Sequence, residues 1–135
     1  YAHLQQHQLI REVVSRCGDE DQATQKFAAF AAGNAAFHSS QLYAALRPAI
    51  GPLILLLKSV DEKTRQNAAG AISNLVRNGS TLCRDLISDG ALEAVLQVFL
   101  NDTFALRKIA LITIGSFCAY EECRSKLQQL RVLDV

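Results

Sequence analysis

The sequence predicts an all-α chain assembled from helical units that repeat about every 40 residues. Three observations carry that reading. Shifting the chain by 40 lays Asp21 on Asp61, Thr24 on Thr64, Ala28 and Ala29 on Ala68 and Ala69, Ala31 on Ala71, Asn34 on Asn74 and Leu42 on Leu82. A further shift by 42 lays Arg65 on Arg107, Ala68 on Ala110, Ile72 on Ile114 and Leu75 on Phe117, with Ser116 where Asn74 stood. No alternating apolar and polar run suggests a strand, and the two prolines, Pro48 and Pro52, fall between expected helices. Self-similarity at this period marks a solenoid, in which each unit buries its apolar face against its neighbours.

The elements follow in order. Residues 1–17 carry Leu4, Ile10, Val13, Val14 and Cys17 with Gly18 as a stop, and are expected to form the last helix of a preceding unit. A long helix over 21–37 starts at Asp21, an N-cap residue type. "LYAALRPAIGPLILLLKS" then reads as a short and a medium helix, with Gly51 as a left-handed helix end and Pro52 at a first helical position. The second long helix, 61–77, has Asp61 as cap, and Ser59 with Glu62 has capping-box spacing. "LCRDLISDGALEAVLQVFL" repeats the short-plus-medium pattern with Gly90 at the corner. The third long helix, 103–119, has Asn101 or Asp102 as its cap, one residue out of register. The expected units are 1–18, 19–58, 59–100 and 101–135, the last incomplete.

The tail "LQQLRVLDV" turns apolar at Val132, Leu133 and Val135, and the chain opens at Tyr1 without methionine. Solenoid ends normally carry polar caps, so the expectation is a piece of a longer array, with end-to-end self-association as the other use of an apolar end.

Composition sets limits. Half the residues are apolar and 20% charged, as in ordered globular chains. With 14 basic and 13 acidic residues, bulk charge gives no help to nucleic-acid or membrane-surface binding. Cys17, Cys83, Cys118 and Cys123 contain no C-x-x-C pair and read as reduced intracellular thiols packed as small hydrophobes. The most apolar stretches, 27–37 and 50–57, fall short of the roughly 18 residues a membrane span needs. No secretory signal pattern opens the chain.

The long helices are thin. Ala68, Ala71, Ile72 and Leu75 form an apolar stripe at helical spacing, the inward face of the second one. Gly70 costs up to about 1 kcal/mol relative to alanine, which either a close backbone approach or an open groove floor would explain. Asn34 and Asn74 recur four residues after Phe30 and Gly70, on the same face. An amide there either holds the backbone of an extended peptide or ties down a neighbouring helix.

A three-helix period of about 40 residues, with "AISNL" in the long helix and "DGALEAVL" at the junction of the shorter two, resembles the armadillo repeat. The resemblance covers about residues 22–135 and implies a right-handed α-solenoid whose third helices line a concave, peptide-binding face. More closely, "KFAAFAAGNAAFHSSQLYAALRPAIGPLILLLKS" with "DEKTRQNAAGAISNLVRNGSTLC" resembles the C-terminal armadillo region of Fused-type serine/threonine kinases. That resemblance implies a non-catalytic interaction tail of a kinase. It also implies roles in Hedgehog signalling, cilium construction or cytokinesis, kinesins or signalling components as partners, and a cytoplasmic, cytoskeleton- or cilium-associated location. No Gly-rich loop, H-R-D or D-F-G of a kinase is in the sequence.

Importin-type receptors place a tryptophan four residues before each asparagine; those positions here are Phe30, Gly70 and Ile112, and the chain has no tryptophan. Lys26, Arg77 and Lys108 share the expected face and would repel a basic peptide, favouring an acidic or amphipathic one. Nuclear import and a purely structural spacer remain the alternative readings. His3 and His7 have metal-pair spacing but lack the zinc-protease glutamate, and His38 sits beside Ser39 and Ser40 at a helix end. Cys118 and Cys123 lie near a helix end without a catalytic partner, and the nine aromatics fall mostly on apolar stripes. The expectation is therefore a protein-binding module with no catalytic residues, cofactor, metal or nucleic acid. Its contact residues are expected to be Lys26, Phe30, Asn34, Gln66, Gly70, Asn74, Arg77, Lys108, Ile112 and Ser116.

Overall fold

The computed structural model describes residues 2–38, 42–78 and 82–130, together with all side chains in those segments except those of 2–5 and 78. His3's side chain, Ser39, Ser40, Val132, Leu133 and Val135 therefore lie outside the described residues. The described residues are helical with no strand: α1 (Ala2–Cys17), α2 (Gln22–His38), α3 (Tyr43–Leu46), a 3₁₀ turn (Arg47–Ala49), α4 (Ile50–Leu56), α5 (Glu62–Asn78), α6 (Cys83–Ser88), α7 (Ala91–Asn101), α8 (Phe104–Phe117) and α9 (Glu121–Gln129).

The two best-matched long helices start alike. Asp21 Oδ2 accepts from the Thr24 N–H at 2.9 Å and from its hydroxyl at 2.6 Å. Asp61 Oδ2 does the same for Thr64 at 2.9 and 2.7 Å. An aspartate followed three residues later by threonine thus satisfies one orphan N–H of the first turn and holds the threonine hydroxyl as well. Ser59 is not part of a capping box: its hydroxyl accepts from the Asp61 N–H at 3.2 Å, while Glu62 turns away to Thr103 and Gln66. Asp102 does not cap α8 either. It is committed to Arg65, with two bonds of 3.1 Å, because the chain is extended there and the carboxylate swings towards α5.

The corners also differ from each other. Gly90 has φ +85° and turns α6 sharply into α7, as its position predicts. Gly51 does not end a helix: it is the second residue of α4, and α3, the 3₁₀ turn and α4 run on from Tyr43 to Leu56 with helical backbone. Pro48 takes an early position in the 3₁₀ turn, where its missing N–H is not needed.

The long helices α2, α5 and α8 stand side by side and pack along their lengths. Helix α1 covers α2, α4 covers α5 and α7 covers α8 from the other side. Ala68, Ala71, Ile72 and Leu75 are all at most 1% exposed, so the predicted stripe faces the core. Around it lie Leu46, Ile50, Leu53, Leu86, Leu92, Leu106 and Phe117, all buried. Small residues do most for α2: Ala28, Ala29, Ala32, Gly33 and Ala36 are its buried residues. The medium helices α4 and α7 barely touch and leave a cleft of about 470 Å³ lined by Ile54, Leu57, Lys58, Ala94 and Val98. Elements that crowd on one side and part on the other define a curve, with the long helices on its inner wall.

Candidate functional site

Four rungs cross that inner wall: three take one residue each from α2, α5 and α8, namely Lys26, Gln66 and Lys108; Phe30, Gly70 and Ile112; Asn34, Asn74 and Ser116; the fourth takes Phe37 from α2, Arg77 from α5 and Ala119 from the turn that follows α8. Spacings of three and four put successive rungs one above the other on each helix. The expected contact residues are thereby gathered on one surface, joined by Phe37, which the sequence reading did not single out.

Phe30 is 54% exposed and Ile112 64%, with Gly70 between them. A Cβ built on Gly70 meets nothing within 4 Å, so this glycine is an open floor and not a point of close approach. The close approach is at Gly33, where a Cβ would stand 3.3 Å from the Cα of Ala71. Glycine in "AAGNAA" thus serves packing, and glycine in "AAGAIS" leaves a notch.

The paired asparagines divide their roles. Asn74 donates from Nδ2 to the Gly33 carbonyl at 3.0 Å, tying α5 to α2. Asn67, seven residues earlier on the same flank, donates to the Lys26 carbonyl at 3.0 Å. Asn34 is exposed and its amide makes no hydrogen bond to a described residue. Gln66 is half-buried and donates to Glu62 at 3.3 Å. Ser116 is half-buried in the third rung.

The cations of the wall lie over aromatic rings. Arg77 Cζ is 4.9 Å from the Phe37 centroid, Lys26 Nζ 5.4 Å from Phe27 and Lys108 Nζ 5.8 Å from Phe104. Such contacts are worth about 0.5–1 kcal/mol at exposed sites and leave the charge available. None of the three forms an ion pair among the described residues. Lys26 does lie near enough to Asp61 to help lower its carboxyl below the ordinary range, behind the larger effect of Thr64's hydrogen bonds. Among the described residues no cluster of three or more His, Cys, Asp or Glu could hold a metal ion, and no helix is long and apolar enough to cross a membrane.

Stacked three-helix units with a thin inner helix define an armadillo-type right-handed α-solenoid, and residues 43–77, from α3 to α5, match the armadillo/beta-catenin-like repeat. Solved structures agree. A designed armadillo repeat protein in complex with the peptide (KR)4 is 24% identical and superposes with a TM-score of 0.82 over 89% of this chain and 52% of its own. Computationally designed armadillo repeat proteins for modular peptide recognition give 25% identity and a TM-score of 0.82 with the same coverage. In sequence, 105 residues are 41% identical to the serine/threonine-protein kinase TIO of Arabidopsis thaliana, which supports the Fused-type resemblance. That match covers 67% of this chain and 8% of the kinase. No part of the fold described here is a kinase domain.

Proposed function

We propose that this chain is a protein-binding module whose inner wall holds an extended, acidic segment with an apolar anchor, as the non-catalytic tail of a Fused-type signalling kinase. The carrying observation is the notch over Gly70, flanked by exposed Phe30 and Ile112 and edged by Lys26, Arg77 and Lys108. An apolar side chain seated there buries surface worth about 25 cal/mol per Å². Carboxylates beside it meet cations that form no ion pair among the described residues, and the Asn34 amide, which bonds to no described residue, holds main chain. The designed relative solved with (KR)4 supports the groove as a peptide site, whereas the cations here oppose so basic a ligand. Similarity to TIO supports the tail role; kinesins or signalling components as partners, and a cytoplasmic setting on cytoskeleton or cilium, come with that resemblance.

Fluorescence anisotropy with two labelled peptides tests the reading, one alternating glutamate and leucine and the other (KR)4. The acidic peptide binds the wild-type chain, and Arg77→Glu with Lys108→Glu weakens it at least tenfold while the melting temperature holds. Tighter binding of the basic peptide, or indifference to the charge reversal, would falsify the proposal.

A further inference from the structure

Cys83 opens α6 and Cys123 lies in the first turn of α9. They are 40 residues apart, one repeat period, and so occupy in successive units the position that Tyr43 holds in the unit before. Their Sγ atoms stand 3.4 Å apart, with Cys83 7% and Cys123 0% exposed.

The hydrogen bonding explains why thiols fit here. Tyr43 donates its hydroxyl to the Ala36 carbonyl at the end of α2, at 3.1 Å. The counterpart carbonyl in α5, that of Val76, is taken by Tyr120 from the following unit at 2.8 Å. Position 83 is thus relieved of the duty Tyr43 performs, and a small apolar side chain suffices. A single repeat position has become a pair of thiols in contact. Among the described residues no set of three ligands joins them, so the chemistry on offer is that of two sulfurs.

We propose that Cys83 and Cys123 form an intramolecular disulfide when the chain meets a peroxide, covalently joining two successive units. The Cys83 sulfur, the more exposed, attacks one peroxide oxygen as the O–O bond breaks, giving a sulfenic acid and water. The Cys123 sulfur then attacks Cys83 Sγ; the S–O bond breaks, and the departing hydroxide leaves as water with the Cys123 proton. Two thiols and one hydrogen peroxide become one disulfide and two waters. Burial, with the Cys83 contact second, pushes the Cys123 thiol up to about 12. With both sulfurs buried, uncatalysed oxidation is slow, and the pair answers to sustained rather than brief exposure.

The test treats the native chain with hydrogen peroxide at neutral pH, blocks remaining thiols with iodoacetamide and maps tryptic peptides without reduction. Peptide 78–84 is expected to be joined to peptide 109–124, which contains both Cys118 and Cys123. The join persists in Cys118→Ser, is lost in Cys123→Ser and reverses with dithiothreitol. The closed loop raises the melting temperature by about 10 °C. A Cys118–Cys123 link, a disulfide dimer between chains, Cys83 and Cys123 thiols that still alkylate when the peroxide-treated chain is denatured, or a lower melting temperature on oxidation would each overturn the proposal. Should Cys123→Ser fail to fold by circular dichroism, the wild-type and Cys118→Ser maps decide alone.

Discussion

The contact between α2 and α5 and the contact between α5 and α8 join equivalent helices by different means. In the first, Gly33 lets backbones approach and two asparagine side chains, Asn67 and Asn74, reach across to main-chain carbonyls two helical turns apart. In the second, the counterparts of Gly33, Ala71, Asn67 and Asn74 are Ser73, Thr113, Ile109 and Ser116. Bulk has returned to the flank, and the joining moves to the helix ends. Arg65 grips Asp102, Thr103 donates to Glu62 at 3.0 Å, and Tyr120 reaches the Val76 carbonyl. A repeat can therefore lose its sequence signature and keep its geometry, provided the polar links shift to where the new side chains leave room.

Substitutions can break that contrast. Gly33→Val forces a branched side chain against the backbone of Ala71 and should lower stability by about 2–3 kcal/mol in urea titrations. Arg65→Ala should cost about 2 kcal/mol, since it removes a two-bond contact to a half-buried carboxylate and further bonds to the Ser59 and Val60 carbonyls. Asn74→Ala should cost about 1 kcal/mol and Asn34→Ala almost nothing, because among the described residues only the former amide has a partner. Gly70→Ala should raise stability by about 0.5–1 kcal/mol, since the helix gains a better helix former and the methyl meets open space. Equal effects at Gly33 and Gly70 would erase the distinction between packing glycine and notch glycine.

The smallest expected effect is one of pH. Hydrogen bonds from the Thr24 and Thr64 hydroxyls, then from their N–H groups, hold the Asp21 and Asp61 carboxyls below the ordinary 3.8. A depressed folded-state value means stability that is whole above 3.8 and fades as pH falls through the lower native value. Asp61→Asn, which keeps the cap and removes the charge, should flatten the acid limb of a thermal-melt series.

The sequence was most legible where the same physics recurs. Long helices expected over 61–77 and 103–119 are found at Glu62–Asn78 and Phe104–Phe117, and Asp21 and Asp61 act as the N-caps their positions predict. Gly51 misled because a glycine before a proline looks like a terminus, while buried Ile50 and Leu53 favour continuing the helix over it. At Gly70 and Asn74 periodicity gave the face but not the use: open space and an amide bond to Gly33 depend on the neighbouring helix. Asn67 shares the flank of Asn74 at a spacing of two turns, a signal that was present in the sequence. The Cys83 and Cys123 contact was likewise written in their separation by one period, which outweighs the shorter spacing of Cys118 and Cys123.

The cleft between α4 and α7 has a mechanical consequence. Changing the bend of the solenoid by widening or narrowing that outer gap disturbs few contacts, whereas parting α2 from α5 breaks both amide links and the Gly33 approach. The contacts are distributed as in a leaf spring with its stiff side inward, so bending about the inner wall disturbs less than changing the spacing between rungs. On the proposed mode of binding, a segment of slightly different pitch would be met by a change of curvature and not by rearrangement of the surface it touches.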